Sequence, residues 1–129
     1  MNKILVEVSV GELLDKISIL EIKKEKIKDP EKLKFINDEY NELNEQLKNN
    51  FKPDDKLNSF FKSLKEINSK LWIIEDDKRL CEKKSDFGEK FIKLSRDVHF
   101  LNDERAKIKL EINKLTKSKI KEIKEYTNY

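Results

Sequence analysis

Residues 87–115, FGEKFIKLSRDVHFLNDERAKIKLEINKL, carry an apolar side chain at alternating steps of three and four: Phe91, Leu94, Val98, Leu101, then Ile108, Ile112 and Leu115. Arg105 stands at the one place in that series where an apolar residue belongs. The spacing is the a/d seam of a heptad repeat, so the stretch is predicted to be a helix packed along a second helix. At 1.5 Å per residue it runs roughly 40 Å, too long for a helix of a compact ball. Residues 55–84 supply a partner of the same length.

The seam of that partner reads Leu57, Phe60, Leu64, Ile67, Leu71, Ile74, Lys78 and Cys81. Between the two helices lies Ser85-Asp86-Phe87-Gly88, with Asp86 and Glu89 spaced as a cap and its answering acid. So short a link lays the helices antiparallel, setting Ile74 against Val98, Leu71 against Leu101 and Ile67 against Arg105.

Upstream, Ser9 and Glu12 have capping-box spacing, and Val8 and Leu13 flank them as a hydrophobic staple. The first helix, 10–28, is the most apolar of the set, with Leu14, Ile19 and Ile22 adding surface beside its heptad stripe. Asp29-Pro30 stops it and starts the next, since Asp caps and Pro suits a first helical position. The second helix, 30–49, carries Leu33, Ile36, Tyr40, Leu43 and Leu47 on one stripe. The expected fold is therefore all-α: a long antiparallel hairpin (55–84 and 87–116) with a shorter one (10–28 and 30–49) packed on it, in a single domain. Residues 1–8, where Ile4, Val6 and Val8 alternate with Leu5 and Glu7, form a short strand or extended arm. An unpaired strand must lie in a groove or pair with another copy. Residues 117–129 form a basic tail.

Composition agrees. Charged residues are 43% and apolar ones 36%, with two Gly and two Pro, which suits long helices rather than sheets or a thick core. The net charge of +3 is too small for a nucleic-acid footprint over the whole surface. No apolar run approaches the roughly 20 residues a membrane span needs, and the start does not read as a signal peptide. Cys81 is the only cysteine, so no internal disulfide forms, and its place on the seam makes it a packed, reduced thiol. A cytoplasmic protein is expected.

Seam positions leave one flank of the long hairpin to be explained. On it the third helix presents Phe61, Lys65, Asn68, Trp72, Glu75 and Arg79, and the fourth Ser95, His99, Asn102, Ala106, Lys109 and Asn113. On the fourth helix this flank is small, amide-bearing or aromatic, while the outer positions carry Lys93, Arg96, Asp97, Asp103, Glu104, Lys107 and Glu111. A flank that avoids ordinary surface charge is one that something covers. Either the first two helices cover it entirely, or a polar cavity remains near Asn68, Trp72, Glu75, His99, Asn102 and Arg105, as in bundles whose sites are built from inward side chains.

Arginine usage sharpens the second reading. The chain has 26 Lys and three Arg (Arg79, Arg96 and Arg105). Arginine's planar fork holds a carboxylate or phosphate in a way lysine does not reproduce. Arg105, in the seam, needs an acid or an anionic ligand, because an unpaired buried guanidinium costs several kcal/mol. Asp15, Glu21 and Glu75 are the acids within reach. His99 is the only histidine and has no second ligand at metal spacing, so no metal site is expected. Nor does the chain contain a phosphate-binding glycine loop or a nucleophile triad, and no cofactor is implied.

Residues 4–24 (ILVEVSVGELLDKISILEIKK), 71–76 (LWIIED) and 87–113 resemble a family of short proteins of unknown function from bacteria and their viruses. The likeness spans nearly the whole chain. Its recurring polar positions correspond to Asp15, Lys16, Trp72, Glu75, Asp76, Arg79, Asn102, Asp103, Arg105 and Lys109, and it implies no activity. A fainter likeness, in fold alone, is to small helical chorismate mutases, which hold an anionic substrate between helices.

Three functions are consistent with these features. The first is a binding or scaffolding protein, dimeric, that engages a partner or a small anionic ligand through Lys16, Asn68, Trp72, Arg79, Asn102, Arg105 and Lys109. The second is a small enzyme on a phosphorylated or carboxylated metabolite, with Glu75 or His99 moving a proton. The third is a coiled-coil assembly factor whose seam is its whole function.

Overall fold

The computed structural model describes residues 3–52 and 54–117 of the chain. It is all-α, with α1 (Val10–Lys26), α2 (Pro30–Asn50), α3 (Asp55–Lys83) and α4 (Glu89–Leu115). Among the described residues there is no strand. Lys3 to Val8 form an irregular exposed arm whose Lys3 is tied to Glu42 of α2 by a 2.6 Å ion pair. Apart from Lys117, the basic tail lies outside the described residues.

Side-chain caps start three of the helices. Ser9 Oγ accepts from Glu12 N at 3.1 Å, and Asp29 Oδ1 accepts from Glu31 N at 3.1 Å with Pro30 in the first position. Asp54 Oδ1 accepts from both Lys56 N and Leu57 N. The fourth start departs from the capping pair expected of Asp86 and Glu89: Gly88 is the N-cap and no side chain caps it. Asp86 is committed to the link instead. Its backbone N–H donates to Cys81 O at 2.8 Å and its carboxylate accepts from Gly88 N at 3.2 Å. With Ser85 at φ 54° donating to Glu82 O, these bonds close α3 in a Schellman motif, a polar residue occupying the left-handed position where glycine is usual.

That link folds α4 back antiparallel to α3. Lys78 Nζ stands 5.7 Å from the Phe91 ring centre, Ile73 and Ile74 border Phe100 and Leu101, and Leu57 borders Leu115. Across this hairpin α1 lies obliquely. Gly11, Glu12 and Asp15 bond Asn113, Lys109 and Arg105 of α4 in turn, whereas Asp15 and Ser18 bond Asn68, and Glu21 and Glu25 bond Lys65, both on α3. The helix therefore crosses from α4 onto α3.

α2 packs against α1 rather than against the long hairpin. Lys24 Nζ sits 4.0 Å above the Tyr40 ring, and the Tyr40 hydroxyl donates to Glu21 at 3.4 Å. Only Leu47 and Phe51, at its end, reach the central apolar cluster of Leu14, Leu57, Leu64 and Ile112. That cluster lies at the open end of the hairpin. Toward the link no described helix covers α3 and α4, and Ile73, Leu80, Phe87, Ile92 and Phe100 remain 40–56% exposed.

Candidate functional site

The crossing of α1 over the long hairpin depends on a close backbone approach. A Cβ on Gly11 would lie 2.6 Å from Lys109 O and 2.9 Å from Asn113 Oδ1, so glycine is required for contact and not for flexibility. The approach also satisfies one of the N–H groups a helix leaves unbonded in its first turn, because Gly11 N donates to Asn113 Oδ1 at 2.8 Å.

One turn further, Lys109 Nζ meets Glu12 Oε2 at 2.8 Å, with the lysine side chain buried and the glutamate at the rim. Beyond that stands Asp15, 1% exposed. Arg105 grips it with Nε on Oδ1 at 2.9 Å and Nη2 on Oδ2. Asn68 Nδ2 reaches Asp15 Oδ1 at 2.9 Å and Ser18 Oγ at 2.8 Å, while the Ser18 hydroxyl donates to Asp15 O at 2.7 Å. Among the described residues no buried side-chain nitrogen or oxygen lacks a partner.

Burial alone would push the Asp15 carboxyl upward. The bonds from Arg105 and Asn68, with the positive charges of Arg105 and Lys109, outweigh that and hold it below the usual carboxylate range. Asp15 is thus an anion among donors. The acid expected somewhere near Arg105 is this one, and not Glu75 or Glu21.

The other residues singled out from the sequence are divided by the edge of α1. Asn68, Arg105 and Lys109 lie beneath it, bonded to its side chains. Trp72 and Asn102 are half-buried just beyond it. Glu75, Arg79 and His99 are exposed further toward the link, and Lys16 is exposed on α1 itself. Beside His99 a shallow groove of about 380 Å³ runs over Phe91, Ile92, Ser95 and Arg96. Among the described residues no three or more His, Cys, Asp or Glu side chains are grouped to hold a metal ion. No described helix is long and apolar enough to cross a membrane.

The model of a family of unknown function, DUF6165, matches residues 4–129. The chain belongs to this family. No curated protein and no solved structure matches it. The DUF6165 match takes in all four helices and, with them, every residue of the Asp15 cluster.

Sequence reasoning missed two features of this DUF6165 chain. Gly11 was not marked as a contact point, although a glycine in a helix's first turn, where alanine is about 1 kcal/mol better, signals one. Nor does the sequence reading mark the apolar residues on the flank of the hairpin opposite α1. Ile73 and Leu80, seven apart on α3, and Phe100 on α4 form that signal.

Proposed function

We propose that this chain is a helical scaffolding protein that acts as a homodimer and engages a protein partner through the wall of Trp72, Arg79, His99 and Asn102. The observation that carries the reading is where α1 ends its cover: among the described residues no buried side-chain nitrogen or oxygen lacks a partner, and beyond α1 a wall of similar chemistry continues half-exposed. A rigid hairpin presenting aromatic, amide and guanidinium groups has the composition of a protein-binding surface.

A small anionic ligand, bound or turned over, finds less support. Asp15 and Glu12 already balance the charges of Arg105 and Lys109, so an anion arriving there would face two carboxylates. Any anion site would fall to Arg79 and Lys16 at the surface.

Trp72 is the only tryptophan, which makes it a reporter for the wall. Sedimentation equilibrium should return twice the chain mass. Phosphates, sugar phosphates and aromatic carboxylates should move neither the melting temperature nor the Trp72 emission. A melting shift that disappears in Arg79→Ala and Asn102→Ala would overturn the protein-binding reading in favour of a small-ligand site.

A further inference from the structure

The flank of the long hairpin opposite α1 carries a groove of about 430 Å³, floored by Ile74 and Leu101 and bordered by Ile73, Phe100, Lys70, Asp97 and Glu104. Taking Leu57 and Phe91 as heptad position a, Ile73 and Phe100 are both c positions. So are Glu66, on α3, and Lys107, on α4. In a two-helix coil the c positions face away from the seam. Two apolar c residues on one flank, 53% and 40% exposed, therefore point to a layer outside the hairpin.

The charges indicate which layer. In the hairpin's register Ile73 stands level with Phe100, Lys70 with Glu104, and, one turn further from the link, Glu66 with Lys107. A two-fold rotation about an axis parallel to the hairpin keeps every residue at its own level. It also lays α3 of one copy over α4 of the other. Ile73 then meets Phe100, Lys70 meets Glu104, and Glu66 meets Lys107, each twice.

We propose, building on the homodimer reading, that a second copy of the chain docks on this flank about such an axis, making a four-helix layer from two hairpins. The face is complementary to itself in apolar content and at two charged levels; at a third, Asp77 meets Asp97, whose carboxylate is already bonded to Lys93 at 2.7 Å. The wall of Trp72 and Asn102, on the other flank, stays open for a partner.

The test is a charge swap between full-length chains, read by sedimentation equilibrium, with circular dichroism confirming the fold. Lys70→Glu alone and Glu104→Lys alone each create two like-charge contacts per dimer and should weaken association roughly tenfold or more. Mixed one to one, they form a heterodimer in which both contacts are again opposite in sign, and affinity should return to that of the unaltered chain. Phe100→Glu should abolish association.

If both charge variants dimerise as tightly as the unaltered chain, this face is overturned while the homodimer reading stands. Should Ile4→Asp with Val6→Asp dissociate the dimer while Phe100→Glu does not, the exposed arm is the contact and the proposal fails. An unaltered chain that sediments as a monomer at every concentration overturns the homodimer reading along with the proposal.

Discussion

Asp15 of α1 and Arg105 of α4, 90 residues apart in the chain, lie side by side so that both carboxylate oxygens receive a guanidinium N–H. The aspartate is sealed from solvent and the arginine side chain is 27% exposed. One such pair, flanked by Asn68 and Lys109, ties three helices together at the point where α1 crosses the hairpin.

Removing one member should be far worse than removing both. Arg105→Leu leaves a buried carboxylate without its main partner, and Asp15→Leu takes from a largely covered guanidinium the carboxylate that grips it. Each should cost about 3 kcal/mol, while the double replacement costs clearly less than the sum. Urea unfolding of the four chains measures the coupling. An Arg105→Leu chain as stable as the unaltered one would falsify the structural role of the pair.

Acid should dissolve this contribution in a definite direction. The Asp15 carboxyl sits below its ordinary value when folded, so between the folded and unfolded values the unfolded chain holds more protons. The pair's contribution is then fully present above about pH 4, the unfolded value, and is lost as pH falls through the folded one. Urea midpoints of the unaltered chain and of Asp15→Asn should converge on acidification. A constant gap from neutral pH down to the acid limit contradicts the assignment.

Gly11→Ala sets helix propensity against packing. Propensity favours alanine by about 1 kcal/mol, but the added methyl would press on the Lys109 backbone, which cannot swing aside as a side-chain tip does. Net destabilisation of about 1–3 kcal/mol is expected. A rise in melting temperature would contradict the close backbone contact of α1 with α4.

The two ends of the hairpin should respond differently to truncation. Leu64, fully buried, should lose about 2–5 kcal/mol on replacement by alanine. Ile73→Ala removes a side chain already half in water, and should change the stability of the single chain by about 0.5 kcal/mol or less. Thermal unfolding in dilute solution, where association is negligible, compares them. Equal losses would mean that the end near the link is also core.

Local chemistry written in consecutive residues was readable in advance. Ser9, Asp29 and Pro30 mark helix starts because each acts on backbone groups within three residues. The seam of Phe91, Leu94, Val98 and Leu101 marks a long paired helix because heptad spacing has only one way to bury its stripe. Even Arg105 was legible as an anomaly, since a charge in a seam must find a partner. Capping by Asp86 was misread for want of the tertiary frame, in which the same residue closes the preceding helix.

The sequence alone determined four helices, their lengths, the hairpin and the need for an acid or an anionic ligand beside Arg105, all consequences of periodicity, short-range hydrogen bonding and the cost of an unpaired buried charge. Only the tertiary structure decided that the partner of Arg105 is Asp15, that α1 crosses the hairpin with α2 stacked on its outer side, and that no described helix covers the end near the link. The crossing depends on a glycine-sized gap and a buried polar cluster, and those are set by contacts between residues about a hundred positions apart. Heptad spacing encodes which face of a helix is covered; what covers it is a property of the assembled chain.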